Sequence, residues 1–372
     1  MQIYKLDTSD KRQVRDFTRF PFALYRNNKL WIPPLAGEME AILNRQTYPF
    51  YQHSEADFFV VKSEGQVLGR IAAIHNRNYC AVHHEKTAFF YHYECVPDAQ
   101  VSNLLLQTAV DWAKERGLTN LLGGRGLIRS SCAGLLVEGF QHRPSATLLY
   151  NPHYYQQFIE AFGFGKETDY YTGELERSHH LSERIYEMAE KLRQRQRFEI
   201  VTFRNKSDML PWLPHMEELH QQAFEHNIGF YPMTHEEFEL MARGLLAVAD
   251  PRFVKLILQE GKIAGFILAY PDISAAIRRT GGRIWPIGWL DLLLEKRRSQ
   301  DLDVNAVGLL PAYQGQGANI LLYTELETVA RQHNMQRLRV LQVDERNTRS
   351  KADMEKMGVH WIIRHRIFHL SF

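Results

Sequence analysis

The sequence predicts an α/β protein made of two tandem copies of one unit, each a mixed, mainly antiparallel sheet flanked by helices. The chain has 372 residues, a length typical of two domains. Strand-like and helix-like segments follow the same order in both halves. One hairpin pattern occurs twice, as VKSEGQVLGRIAAI and as ILQEGKIAGFILAY, and this repetition indicates a duplicated unit.

In the first half, residues 3–6 read as a strand, and DFFVVKSEGQVLGRIAAI predicts a hairpin that turns at Glu64 and Gly65. TAFFYHYECV predicts a third strand. VSNLLLQTAVDWAKERG then has apolar residues at helical spacing and stops at Gly117. A strand in TNLLGG and a short helix in YYQQFIEAFGF complete this half, which we place at residues 1–175. A polar segment, residues 176–198, predicts a solvated linker helix.

The second half, residues 199–372, repeats this order. EIVTFR predicts a strand, WLPHMEELHQQAF and HEEFELMARGLL predict helices, and RFVKLILQEGKIAGFILAY predicts a hairpin that turns at Glu260 and Gly261. The strand DLDVNAVGLL leads through a glycine-rich turn into the helix ILLYTELETVARQH. The strand LRVLQV, a short helix before Gly358 and the strand HWIIRHRIFHL end the chain.

Composition excludes several classes of protein. Hydrophobic residues make up 45% of the chain and charged residues 24%, which is typical of a globular protein. The formal charge of +2 gives no basic excess for nucleic acid or an anionic membrane, so we expect neither partner. Three cysteines form no disulfide framework, and the first residues lack the apolar stretch of a signal peptide, so a cytoplasmic location is expected.

The glycine-rich turn is the one motif that indicates chemistry. It lies in NAVGLLPAYQGQGAN, residues 305–319, between a strand and a helix. Gly315 and Gly317 let backbone N–H groups converge, and the following helix adds its free N–H groups and the positive end of its dipole. This arrangement suits a phosphate or a pyrophosphate. No Gly-Lys-Ser/Thr follows and the GxGxxG spacing is missing, so the motif is neither a Walker loop nor a dinucleotide fingerprint.

At this point the chain resembles the GCN5-related N-acetyltransferase (GNAT) superfamily, whose signature is Gln/Arg-x-x-Gly-x-Gly/Ala. Gln314 and Gly317 fit it, whereas Asn319 stands where glycine or alanine is usual. The element order extends the resemblance over nearly the whole chain, and WIPPL, LLVEGF and YNPHYY resemble a bacterial group of tandem proteins. The resemblance implies acetyl-CoA or another acyl-CoA as co-substrate. It implies these cofactor-binding residues: Leu309, Leu310, Gln314, Gly315, Gln316, Gly317, Ala318, Asn319 and Asn347.

The resemblance also implies direct acyl transfer to an amine on a small molecule or a peptide. Asp303 occupies the position of the family's base, although it could equally be an exposed polar residue that starts the strand. Met354 replaces the tyrosine that is the usual acid, so Tyr313, Tyr323 or solvent would have to act, or catalysis is lost. Asn347 matches an asparagine that touches the pantetheine arm, and it could equally be a helix N-cap.

The first half lacks the phosphate loop, since Val96-Pro97-Asp98-Ala99-Gln100 has no glycine and places an acid there. We therefore expect it not to bind coenzyme A. The alternative for the whole chain is a non-catalytic acyl-CoA-binding or scaffold protein, and a fatty-acyl- or aminoacyl-transferring enzyme is a further rival. No histidine or cysteine pattern has metal-ligand spacing, so no metal is expected. Trp285 and Trp289 are interpreted as core or rim packing, with a pocket wall as the alternative.

Overall fold

The computed structural model describes residues 1–372 as an α/β protein, and it confirms the predicted fold class. The strands are β1 (Gln2–Lys5), β2 (Glu55–Ser63), β3 (Gln66–His75), β4 (Thr87–Cys95), β5 (Asn120–Gly123), β6 (Leu135–Glu138), β7 (Gly165–Glu176), β8 (Glu199–Thr202), β9 (Val254–Gln259), β10 (Lys262–Pro271), β11 (Asp301–Leu309), β12 (Arg337–Asp344) and β13 (His360–Ser371). The helices are α1 (Lys11–Leu24), α2 (Glu38–Leu43), α3 (Arg77–His83), α4 (Ala99–Lys114), α5 (Tyr154–Phe162), α6 (Glu183–Gln194), α7 (Leu213–Phe224), α8 (His235–Val248), α9 (Ser274–Thr280), α10 (Gly288–Arg298), α11 (Ala318–Gln332) and α12 (Thr348–Lys356).

The chain forms two compact units that are not contiguous in sequence. The first comprises residues 1–170, 274–292 and 363–372, and the second comprises residues 171–273 and 293–362. The expected boundaries at 175 and 199 follow the duplicated sequence segments instead. The division into residues 1–175, 176–198 and 199–372 therefore stays a prediction.

In the first unit, β1, β2, β3 and β4 pair antiparallel in this order, and β5 adds to β4 in parallel. The last residues of β13 pair antiparallel with β5 and β6. Helix α4 packs on this sheet through its fully buried residues Val101, Leu105 and Ala109. The strand HWIIRHRIFHL, predicted to end the second half, thus contributes its terminal residues to the first unit.

In the second unit, β8, β9, β10 and β11 pair antiparallel, and β12 adds to β11 in parallel. One core lies under α11 and contains Leu302, Leu321 and Leu326. Another core contains Leu219, Leu256 and Phe266 and includes residues of α7. The two units thus share the order of a hairpin, a strand, a helix and a parallel strand, as the duplication predicts.

The segment predicted as a solvated linker helix has a packed face. Of the predicted residues 176–198, Glu176 belongs to β7, and the helix covers only Glu183–Gln194. Ala189 is fully buried in the core beneath α11, and the hydroxyl of Tyr186 donates to Glu327 at 2.8 and 2.7 Å. Apolar side chains at positions 185, 189 and 192 have helical spacing, which explains why one face of this polar helix is buried.

His365 gives the first unit a pH-dependent stability. It is fully buried, and its Nε2 lies 2.9 Å from the carbonyl oxygen of Leu149, so the neutral ring donates from that nitrogen. Burial lowers the pKa of His365 to about 4, and the Leu149 carbonyl opposes this only in part. A histidine in the unfolded chain has a pKa of about 6.5. As the pH falls, His365 therefore takes up a proton in the unfolded chain before it does so in the folded protein.

The contribution of His365 to stability is therefore complete above its unfolded pKa and decreases as the pH falls toward 4. We expect the free energy of unfolding to fall by about 2 kcal/mol through this residue between pH 7 and pH 5. His365→Gln keeps an N–H donor for Leu149 but cannot titrate, so it should lack this component. Urea unfolding of both proteins at the two pH values measures the difference, and parallel losses in the two proteins would contradict the assignment.

Candidate active site

The glycine-rich turn forms an uncapped helix N-terminus in the second unit. After β11, residues Pro311–Tyr313 make a 3₁₀ turn, and α11 begins at Ala318. Gly315 has φ +73° and Gly317, the N-cap residue, has φ +89°, a backbone region that favours glycine. No side chain caps the helix. The first N–H groups of α11 are therefore open to an external acceptor, and the helix dipole favours a negatively charged one.

Side chains hold the turn in this shape. The Gln314 Nε2 donates to the carbonyl of Leu309 at 3.2 Å, and the Gln316 Nε2 donates to the carbonyl of Ala312 at 2.6 Å. The exposed Arg349 donates from Nη1 to the Gln314 Oε1 at 3.2 Å. This arginine places a cation beside the turn. It was not among the predicted site residues, because it lies 35 positions after Gln314 in the sequence.

Strands β11 and β12 separate next to the turn. Their parallel pairing joins residues 301–304 to residues 337–340 and then stops, although β11 continues to Leu309 and β12 to Asp344. The pairing of β11 with β10 shifts register between Leu268 and Ala269, so that Asn305 has no partner and forms a bulge where the separation begins. An open gap between two strand edges can accept an extended ligand by backbone hydrogen bonds.

The backbone N–H groups of Leu309 and Leu310, both predicted to bind the cofactor, differ in whether the sheet already uses them. The N–H of Leu310 donates to the carbonyl of Ala264 on β10 at 2.9 Å. Successive N–H groups of a strand point to opposite sides, so the N–H of Leu309 points toward the gap. Leu309 can therefore serve a ligand in the gap, whereas the N–H of Leu310 is already used within the sheet.

Asp303 lies at the closed end of the gap, within a buried polar cluster. Its side chain is fully buried, and one carboxylate oxygen is 3.7 Å from Nη1 of Arg339. The same guanidinium nitrogen is 3.8 Å from a carboxylate oxygen of Asp272. Asp303 also pairs across the sheet with Tyr270, whose hydroxyl accepts from Nδ2 of Asn305 at 3.2 Å. Asp303 is thus not the exposed start of a strand, and its role as base stays a prediction.

Residues 213–359 match the sequence profile of the acetyltransferase (GNAT) family. They contain the loop, the gap and Asp303. This part of the chain is similar to the GNAT family.

Two relatives and one solved structure are similar to most or all of the chain. Protein YghO of Escherichia coli strain K12 is 26% identical over 96% of this chain and 93% of its own length. A bacterial ceramide synthase of Caulobacter vibrioides is 28% identical over 76% of this chain and 73% of its own. Among solved structures, a tandem GNAT protein from the clavulanic acid biosynthesis pathway has a TM-score of 0.57 at 15% identity, covering 100% of this chain and 98% of the other. That likeness shows a shared tandem fold.

In this GNAT-like domain, Asn319 is held by a specific contact. Its Nδ2 is 3.2 Å from Oδ2 of Asp353 on α12 and donates to it. This bond ties the first turn of α11 to α12, and it explains how asparagine is accommodated where the family usually has glycine or alanine. Ala318 is fully buried beside it, so any contact of Ala318 with a ligand would come from its backbone N–H.

The usual acid of GNAT domains has no counterpart in α12. Met354 occupies its position, is buried, and has no proton to donate. Burial, reinforced by the Asp353 carboxylate, raises the pKa of Tyr323, so this phenol keeps its proton at neutral pH. Tyr313 lies in the 3₁₀ turn and Tyr323 in α11, and both pack against the core beneath α11. Of the two tyrosines, Tyr323 is the one near α12.

Asn347 caps helix α12. Its side chain accepts from the N–H of Ser350 at 3.1 Å, as expected of an N-cap residue. The N-cap interpretation of this asparagine is therefore confirmed. A second role, as a contact of the pantetheine arm, stays a prediction.

The equivalent helix of the first unit is closed to anions. Asp98 is the N-cap of α4, and its carboxylate accepts from the N–H of Gln100 at 2.8 Å. Asp98 thus occupies an N–H group at the start of α4, whereas no side chain caps the corresponding N–H groups of α11. Asp98 also adds a negative charge at this end of the helix. The arrangement supports the expectation that only the second half binds coenzyme A.

No group of three or more histidine, cysteine, aspartate or glutamate side chains in the described residues 1–372 has a geometry for metal binding. No helix combines the length and the hydropathy that crossing a membrane requires.

Proposed function

We propose that the second half of the chain transfers an acyl group from an acyl-CoA to a primary amine. The observation that carries this proposal is the gap between β11 and β12, which opens directly beside an uncapped, glycine-rich helix N-terminus. The GNAT family supports acyl-CoA as the co-substrate. The family does not define which acyl chain is transferred or which amine receives it.

The loop residues Gln314, Gly315, Gln316, Gly317, Ala318 and Asn319 would hold the pyrophosphate of the acyl-CoA. The backbone N–H groups from Gly315 onward and the dipole of α11 supply positive potential, and Arg349 adds a full charge. The pantetheine arm would follow the open edge of β11 near Leu309. The N–H of Leu309 then polarises the thioester carbonyl and stabilises the negative charge that develops on its oxygen.

The chemistry needs two proton transfers. The attacking amine must lose a proton before or during attack, and we assign its acceptance to Asp303. A C–N bond forms and the C–S bond breaks. The departing thiolate takes a proton from Tyr323, and the second proton of the amine, which its nitrogen loses as the amide forms, returns through solvent to the Tyr323 phenolate. The products are an amide and the free thiol, so one proton is released for each ammonium group acylated.

Substitution of Tyr323 tests the assignment of the acid. We expect Tyr323→Phe to lower kcat about 10- to 100-fold, because the phenylalanine retains the packing and removes only the proton donor. Tyr313→Phe is the matched control and should change kcat by less than about threefold. Steady-state rates of thiol release at saturating donor provide the measurement. If the two variants are equally active, solvent protonates the thiolate and the assignment of Tyr323 is wrong.

The ceramide synthase relative suggests the substrate class. A ceramide is the amide of a fatty acid with a long-chain amino alcohol, so its synthesis requires N-acyl transfer. We therefore propose a fatty acyl-CoA as donor and a long-chain amino alcohol as acceptor, with acetyl-CoA and a small polar amine as the alternative pair. Thiol release from acetyl-, octanoyl- and palmitoyl-CoA with an amino sugar, a polyamine, an amino acid and a long-chain amino alcohol distinguishes them. Activity restricted to acetyl-CoA would contradict the fatty-acyl assignment.

A non-catalytic acyl-CoA-binding protein is the second candidate. The buried Met354 in the position of the usual acid favours it. Binding of acyl-CoA without thiol release in the presence of any of these amines would support this candidate over the enzyme.

A further inference from the structure

The loop between α9 and α10 presents large apolar side chains to solvent. Trp285 is 78% exposed and Ile287 is 76% exposed, the highest values among the large hydrophobic residues of the chain. Trp289 and Leu290, at the start of α10, are also exposed. These four side chains lie within six consecutive positions. The exposure of Trp285 excludes core packing, whereas rim packing and a pocket wall stay predictions. A concentrated exposed apolar group of this kind marks an interaction site.

Basic residues accompany this apolar group. Arg278, Arg279 and Arg283 are exposed, and residues 278–290 contain no aspartate or glutamate, so the segment carries +3. Arg279 forms a two-point ion pair with Asp291, at 3.0 and 2.8 Å. Helix α10 continues with the exposed Leu293 and ends in the exposed Arg297 and Arg298. The segment therefore has a local positive charge, although the chain as a whole carries only +2.

The loop is held in place by the first unit, and several of its polar groups have hydrogen-bond partners. The carbonyl of Gly282 accepts from the N–H of Ala36 at 2.9 Å, and a Cβ at Gly282 would lie 2.1 Å from the carbonyl oxygen of Pro34. The indole N–H of Trp289 donates to the carbonyl of Pro286 at 3.0 Å. The loop can therefore enter a less polar environment without exposing these groups unpaired.

We propose that residues 278–290 dock this protein on the surface of an anionic phospholipid bilayer. The Trp285 and Ile287 side chains would enter the interfacial region, where tryptophan is favoured, while the arginines contact anionic headgroups. Charge complementarity selects this partner over a neutral protein surface. The proposal is independent of acyl transfer, and it departs from the expectation, based on the overall charge, of no membrane partner.

Flotation of the full chain with phospholipid vesicles tests the proposal. Binding to vesicles of 70% phosphatidylcholine and 30% phosphatidylglycerol should exceed binding to pure phosphatidylcholine by on the order of 10-fold, and should weaken as salt rises. The double variant Trp285→Ser/Ile287→Ser should lose at least about 10-fold in partitioning. The matched control, Leu210→Ser/Ile228→Ser, removes apolar side chains that are 53% and 52% exposed and should bind like the wild type.

A second pair of variants tests the charge. Arg278→Gln/Arg283→Gln should weaken binding by about 25-fold, since each arginine near an anionic surface contributes roughly fivefold. Arg195→Gln/Arg197→Gln removes the same charge from two exposed positions elsewhere and should not change binding. Failure of the wild type to float with anionic vesicles, or equal losses in test and control variants, would overturn the proposal. So would a homodimer, seen by light scattering, that Trp285→Ser/Ile287→Ser dissociates.

Discussion

Replacement of Asp303 by asparagine is expected to lower kcat by about 10²- to 10⁴-fold, the range for loss of a general base. The change keeps the size of the side chain and removes its ability to take a proton. Binding of the acyl-CoA should be unaffected, because Asp303 lies at the closed end of the gap and away from the loop. Rates at saturating donor and amine, with a separate binding titration, measure the two effects independently.

Asp272 provides an internal control for this variant. It is buried like Asp303, and its carboxylate lies 3.8 Å from the same Arg339 nitrogen that is 3.7 Å from Asp303. Asp272→Asn thus removes one of the two buried carboxylates that lie near the Arg339 guanidinium. Its effect on the electrostatics of this cluster should be comparable to that of Asp303→Asn. We expect Asp272→Asn to retain most of the wild-type kcat, in contrast to Asp303→Asn. Equal losses in the two variants would show that the cluster has a structural role and that Asp303 is not the base.

Substitution of Gln316 by glutamate is expected to weaken acyl-CoA binding by about 10- to 100-fold. The change preserves the shape of the side chain and adds a negative charge to the turn that would hold the pyrophosphate. Two charges about 5 Å apart at an effective dielectric of about 20 repel by roughly 3 kcal/mol, and solvent exposure of the turn reduces this value. Isothermal titration with an acyl-CoA measures the change in Kd.

Two controls separate charge from structure at this position. Gln316→Met loses the hydrogen bond to the carbonyl of Ala312 without adding charge, so it should have the smaller effect. Gln100→Glu places the same charge near the N-terminus of α4, the equivalent helix of the first unit, and should leave Kd unchanged. These variants are preferable to a change at Gly317, where a Cβ would lie 2.5 Å from Leu192 of α6 and would disturb packing. A Gln100→Glu effect as large as that of Gln316→Glu would place the acyl-CoA elsewhere.

The local part of the site could be predicted from the sequence, because its conformation depends on neighbouring residues. Gly315 and Gly317 do adopt positive φ, and the helix does begin at Ala318. The lack of such a turn in the first half could also be predicted, because Asp98 precedes α4 and caps it.

Features that depend on distant pairing could not be predicted in this way. The parallel pairing of β11 with β12 ends after Val304 and Val340, and nothing in either strand marks that point. Arg339 meets Asp303 only through this pairing. Trp285 is a large apolar residue of the kind that usually packs in a core, yet its side chain is exposed. It lies in a loop that contacts residue 36 through Gly282, and this contact joins residues far apart in sequence.

Titration of the wild-type chain with octanoyl-CoA, followed by calorimetry, tests most directly the claim that the second half alone carries an acyl-CoA site. We expect one molecule bound per chain, with Gln316→Glu weakening that binding and Gln100→Glu leaving it intact. Two molecules per chain would show that the capped helix of the first unit also binds. No binding of octanoyl-CoA, acetyl-CoA or palmitoyl-CoA would contradict the assignment of the gap and the loop as an acyl-CoA site.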